Sequence, residues 1–204
     1  MFEDGEHPCR FSKRLLSRHF RQLELFFGSE MKLDSRYNIE NHSRETFDLL
    51  LQWAVTRNIQ FDPAKHQTRA LRITSMLEMV KMANDMDMKE LQALEGSIAR
   101  ILTEILKEER TALKGEHIQF AYANFDTGHL IQDVFVRAAV RNRIEFRKSD
   151  ISEQGIGRQD IRAHMLPDGA RKNAWGANTF PFAGETEQIK DFEIRLLRAS
   201  MKTW

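Results

Sequence analysis

Between Asn41 and Leu106 the chain carries three apolar stripes in succession, and any fold it adopts has to bury them. In SRETFDLLLQWAV, residues Phe47, Leu50, Leu51 and Ala54 recur at the spacing of one helical face. Ser43 stands where an N-cap hydroxyl would accept from the free amides of the first turn. A short extended piece from Asn58 to Phe61 and a polar loop around Pro63 separate this helix from the next. There Ile73, Met76, Leu77 and Val80 repeat the pattern. Asn84, Asp85 and Asp87 compete with helix hydrogen bonds and predict a turn. Asp87 with Glu90 three residues on reads as a capping box opening a third helix, striped by Leu91, Leu94, Ile98, Ile101, Leu102 and Ile105.

The flanks are organised more loosely. Phe11 to Phe27 sets Leu15, Leu16, Phe20, Leu23, Phe26 and Phe27 against Lys13, Arg14, Arg18 and Arg21, the spacing of one or two short helices ended by Gly28. Tyr37-Asn38-Ile39 is short and β-tolerant. Gly115 is expected to stop the third central helix. A shorter helix follows with Ile118, Tyr122 and Phe125 on one face, then another with Leu130, Ile131, Val134, Phe135 and Ala138. The latter ends in a basic run, Arg137, Arg141, Arg143, Arg147 and Lys148, where cations complement the helix dipole. Residues 149–184 hold glycines and prolines in a polar stretch without usable period, which reads as a mobile linker. Ile189, Phe192, Leu196 and Leu197 place one more amphipathic helix at 187–201. The division expected is a domain at 1–148 and a mostly unstructured tail at 149–204.

Composition narrows the function classes. A formal net charge of +1 gives no global field to recruit nucleic acid or anionic lipid. No apolar run approaches the roughly 18 residues of a membrane span, and the N-terminus lacks the apolar core of a secretory signal. With Cys9 as the single cysteine, a disulfide framework is excluded and a reducing, intracellular setting, cytoplasm or nucleus, is expected. Zinc-like His and Cys spacing, a P-loop, a Gly-x-Ser-x-Gly elbow and HExxH are all missing. Gly155-Ile156-Gly157 lacks the third glycine and the preceding strand of a dinucleotide fingerprint. The reading is therefore no enzyme, no cofactor and no metal. Met76, Met79, Met82, Met86 and Met88 crowd one short stretch, as adaptable core or as a partner groove.

The order of these segments resembles a BTB/POZ domain of the divergent kind common in fungal proteins. FSKRLLS (11–17), FFGSEMKLDSRYNIENHSRETFDLLLQWAVTRNIQF (26–61), LEMVKMANDMDMKELQALEGSIARIL (77–102) and IQFAYANFDTGHLIQDVFVRAAV (118–140) are each similar to a family segment, in the family's order. The departures are specific. Ser12-Lys13 stands for the family's His-Lys pair, and Val55-Thr56-Arg57-Asn58 for its Tyr-Thr-Gly turn. Only ten residues precede Phe11 where the family opens with about two strands, so the front of the domain is expected to be short. The resemblance implies an α+β fold, predominantly helical: a small sheet packed with helical hairpins, to which the composition after Lys148 adds a flexible C-terminal tail. It implies a non-enzymatic protein–protein interaction module, an adaptor or dimerisation unit, whose partners are itself or another BTB domain. Phe20, Leu23, Phe26 and Phe27 would contribute to the interface. Recruitment of a cullin ubiquitin ligase is weakened by Gly28-Ser29-Glu30, which puts glycine where recruiting members carry an apolar residue. The alternatives are an unrelated all-helical interaction protein, or a weak nucleic-acid binder acting through the basic run 137–148.

Overall fold

The computed structural model describes residues 12–28, 42–153 and 190–201, and within these ranges some side chains near helix ends are left aside. Two compact units divide at Leu102 and Thr103.

The first unit contains α1 (Lys13–His19), α2 (Arg21–Gly28), α3 (Arg44–Thr56), α4 (Arg69–Asp85) and the larger part of α5 (Leu91–Glu108). Ser43 caps α3 as its position predicts, its Oγ accepting from Thr46 N at 3.1 Å. Thr68 does the same for α4, accepting from Leu71 N at 3.2 Å. The stripe Phe47, Leu50, Leu51 and Ala54 is buried throughout. On α4 the burial runs round most of the helix, taking in Ile73, Met76, Leu77, Met79, Val80, Met82 and Ala83. A helix buried on most sides is the centre of its unit, not a surface hairpin arm. The methionines are therefore core: Met86 and Met88 just beyond α4 are buried as well.

Between α3 and α4 the chain folds back along α3. Arg57 ends α3 in the left-handed region (φ 59°), its amide donating to Trp53 O at 2.8 Å. Gln60 N then donates to the Gln52 side chain at 2.8 Å. Further on, Lys65 and His66 each come within 3.6 Å of Glu45 at the opposite end of the helix. The expected extended piece is thus tied to a helix and pairs with no strand.

The expected small sheet needs correcting. Among the described residues the only β pairing is one isolated antiparallel bridge, Phe20 with Met88. Arg21 N donates to Asp87 O at 3.1 Å, and Lys89 N to His19 O at 2.9 Å. This bridge is what separates α1 from α2. In one continuous helix Arg21 N would bond to Ser17 O; here Lys89 Nζ takes that carbonyl, at 3.0 Å. The remaining apolar surface is satisfied helix against helix, so the architecture of the described residues is helical. The β-tolerant stretch Tyr37-Asn38-Ile39 lies outside them.

The second unit holds the end of α5, a 3-10 turn at Arg110–Ala112, α6 (Gly115–Asn124), α7 (Leu130–Glu153) and α8 (Lys190–Met201). Gly115 does not stop the long helix. α5 already ends at Glu108, and Gly115 opens α6 behind Lys114. Gly128 turns the chain from α6 into α7 at φ 91°, a conformation open to glycine. Gln132 is buried and clamps this turn: its Nε2 donates to Ala121 O and Phe125 O, both at 3.2 Å, while its Oε1 accepts from Gly128 N at 3.1 Å. α7 continues to Glu153, so the basic run sits inside the helix and not in its last turn. α8 packs on α7 with Phe192 and Leu196 buried. Of the expected tail, residues 154–189 lie outside the described residues, as do the expected short front before Ser12, Cys9 and the Gly155 to Gly157 motif.

Candidate functional site

Among the described residues three constellations bring reactive or charged side chains together, two in the first unit and one in the second. The largest surrounds the turn from Asp85 to Glu90. His19 Nδ1 lies 3.3 Å from both carboxylate oxygens of Glu90, and Arg57 reaches the same carboxylate at 3.5 Å. His42 Nε2 meets Asp85 Oδ2 at 3.0 Å, and Lys81 Nζ meets that oxygen at 2.7 Å. Gln22 donates to Asp85 O at 2.6 Å, Lys89 pairs with Glu24 at 2.7 Å and Arg21 with Asp87 at 3.8 Å. The expected capping box is absent because Asp87 is used otherwise. It stands at φ 50°, its carbonyl engaged by Arg21, whereas an N-cap needs extended backbone. Both imidazoles face a carboxylate already shared with a cation. The contacts join α1, α2, His42 ahead of α3 and Arg57 at its end to one turn, so the cluster works as a latch.

The second constellation is the nearest approach to a nucleophile and base. His66 Nε2 lies 3.0 Å from Ser75 Oγ, and His66 Nδ1 lies 3.3 Å from Asp62 O. A serine hydroxyl on one imidazole nitrogen and an orienting oxygen on the other is the arrangement acyl transfer uses. Two observations count against that use. Ser75 sits inside α4, beyond the first turn, where neighbouring amides are committed to the helix and leave no oxyanion donors. His66 is itself buried under Phe61, ring centres 5.0 Å apart, with Arg72 above that ring. The pair fastens a loop to a helix. Among the described residues no group of three His, Cys, Asp or Glu side chains could hold a metal ion.

The third constellation is the seat of α8. Arg195 NH1 donates to Gln132 Oε1 at 3.0 Å and to Tyr122 Oη at 3.4 Å, and NH2 pairs with Asp133. Asp191, one turn back, stands 3.7 Å from the same guanidinium. Phe192 meets Tyr122 edge to face at 5.8 Å. Burial raises the Tyr122 hydroxyl above the usual tyrosine range; the Arg195 charge opposes this and Asp191 adds to it. The seat thus combines an aromatic wall, a buried amide acceptor and a carboxylate. α8 meets it with Phe192, Arg195 and Leu196, which share one face of that helix.

The sequence-derived interface residues fall elsewhere. Phe20 and Leu23 are buried, Phe20 with its ring 6.2 Å from Phe47. Phe26 and Phe27 lie in α2, their side chains outside the described set. Of the basic run, Arg137 and Arg141 are exposed on α7. The α8 seat was half visible in the sequence: the Phe192 and Leu196 stripe is there, but nothing local marks Arg195 as its polar anchor. An arginine flanked by apolar residues on the inward face was the available signal.

Comparison with protein-family models, with curated proteins and with solved structures yields no match to this chain. No helix among the described residues is long and apolar enough to cross a membrane.

Proposed function

We propose that the chain is a non-enzymatic protein–protein interaction module built from helices, serving as an adaptor or self-association unit. The observation that carries the reading is the α8 seat, a groove on α6 and α7 filled by an amphipathic helix through two apolar anchors and one arginine. Laying an amphipathic helix into a groove is a recurrent mode of peptide recognition. Interfaces also favour the residue types that meet here, tyrosine, phenylalanine and arginine.

The test offers a carrier protein fused to residues 187–204 to the full chain with its own α8 unseated by Phe192→Asp. Sedimentation velocity at about 100 µM of each, the weak-interface range, is expected to show a complex. A folded variant that sediments as the sum of separate species removes the reading.

A further inference from the structure

Resting on that reading, we infer that α8 is an autoinhibitory occupant of the α6–α7 groove, masking it from external helices that carry Phe, Arg and Leu at i, i+3 and i+4. The argument starts from what the groove offers. Tyr122, Gln132 and Asp133 present an aromatic face, an amide oxygen and a carboxylate within reach of one guanidinium. That set selects a cation flanked by apolar residues one turn apart, and α8 supplies it with Phe192, Arg195 and Leu196.

The occupant is imperfect. Asp191 places a second carboxylate beside the Arg195 that Asp133 already holds, and its Oδ2 is buried without a hydrogen-bond partner. A buried carboxylate oxygen with a 3.7 Å ion pair and no hydrogen bond leaves part of its desolvation cost uncompensated. An external helix that keeps the phenylalanine, arginine and leucine but carries a neutral residue before the phenylalanine avoids it. The intramolecular ligand is therefore the weaker competitor contact for contact. It holds its place by tethering.

Tethering is quantifiable. The 36 residues 154–189 separate the end of α7 from the start of α8 in the same chain, so the contact of α8 with α7 is made under a covalent tether. A tether that spans its site gives an effective concentration on the order of 1 mM. For an external helix of intrinsic Kd about 100 µM, masking at about 1 mM weakens apparent binding by roughly tenfold.

The experiment measures fluorescence anisotropy of a labelled peptide of residues 187–204 with three full-length chains. Against the Phe192→Asp chain the peptide is expected to bind about tenfold more tightly than against the unaltered chain. The Asp133→Arg chain repels its own Arg195; it is expected to bind an Arg195→Glu peptide and to reject the unaltered one. This second variant keeps every apolar anchor, so it decides the matter if Phe192→Asp does not fold, circular dichroism reporting the fold of each. Equal binding of the peptide to the unaltered and Phe192→Asp chains overturns the masking while leaving helix recognition standing. No binding to either folded variant overturns both. A dimer of the unaltered chain at tens of micromolar, dissolved by Phe192→Asp, overturns closure within one chain in favour of exchange between two copies.

Discussion

Replacing Phe20 by alanine asks whether this residue is core or interface. Its side chain is fully buried, and its ring lies against Phe47. Its backbone forms the bridge to Met88 at the break between α1 and α2, so the surroundings are held on two sides and collapse poorly into a cavity. Deleting a buried phenylalanine costs about 3–5 kcal/mol, and poor relaxation places this site in the upper half of that range. At a urea dependence of about 2 kcal/mol/M, the unfolding midpoint should fall by about 2 M. The assay is urea denaturation followed by the fluorescence of buried Trp53, with Trp175 and Trp204 replaced by phenylalanine. Leu25→Ala in the same helix is the control: this residue is 70% exposed, and less than about 0.5 kcal/mol is expected. A loss below about 1 kcal/mol for Phe20→Ala, accompanied by weaker self-association, would refute the core assignment and restore Phe20 to an interface.

Ser43→Ala removes the α3 cap and is expected to cost about 1 kcal/mol, read from the same urea midpoint; Ser43→Asp should recover most of it. Trp53→Phe discards an indole N–H that is buried without a partner, so the loss should stay below about 1.5 kcal/mol, well short of Phe20→Ala. Tyr122 carries a raised folded-state pKa, so the folded chain holds its proton longer than the unfolded one. That contribution is complete below about pH 10 and is lost as pH climbs through the higher folded value. Absorbance titration of a Tyr37→Phe chain, which leaves Tyr122 as the only tyrosine, should show ionisation later than in the urea-unfolded protein.

Local pattern was enough where a residue's role depends on its own helix. Phe47, Leu50, Leu51 and Ala54 are buried and Ser43 caps, because burial of one face and capping of one end need only near neighbours in sequence. It failed where a distant segment takes the decision. The Asp87 and Glu90 spacing is that of a capping box, yet the Asp87 carbonyl binds Arg21 and the Glu90 carboxylate binds His19 and Arg57. Gly115 looked like a helix stop because the 3-10 turn at Arg110–Ala112, with Ala112 buried, carries no glycine or proline to mark it. The BTB/POZ likeness rested on the order of helical segments, and helix order is compatible with more than one architecture. The sheet it required has no counterpart among the described residues beyond one bridge. The α8 seat escaped for a related reason: Arg195 is ordinary in its own helix and acquires meaning only from Gln132 and Asp133.

The methionines of α4 and of the turn that follows it have a chemical consequence. Met76, Met79, Met82, Met86 and Met88 are all sealed from solvent, and peroxide can reach such thioethers only when the unit opens. Each sulfoxide formed would place a polar, chiral group where the apolar packing has no acceptor for it, so the first oxidation hinders reclosing and exposes the next. Damage should then arrive in bursts, chains with no oxidised core methionine coexisting with chains in which several have turned over. Intact-mass spectra after brief peroxide treatment would therefore report how often the first unit opens.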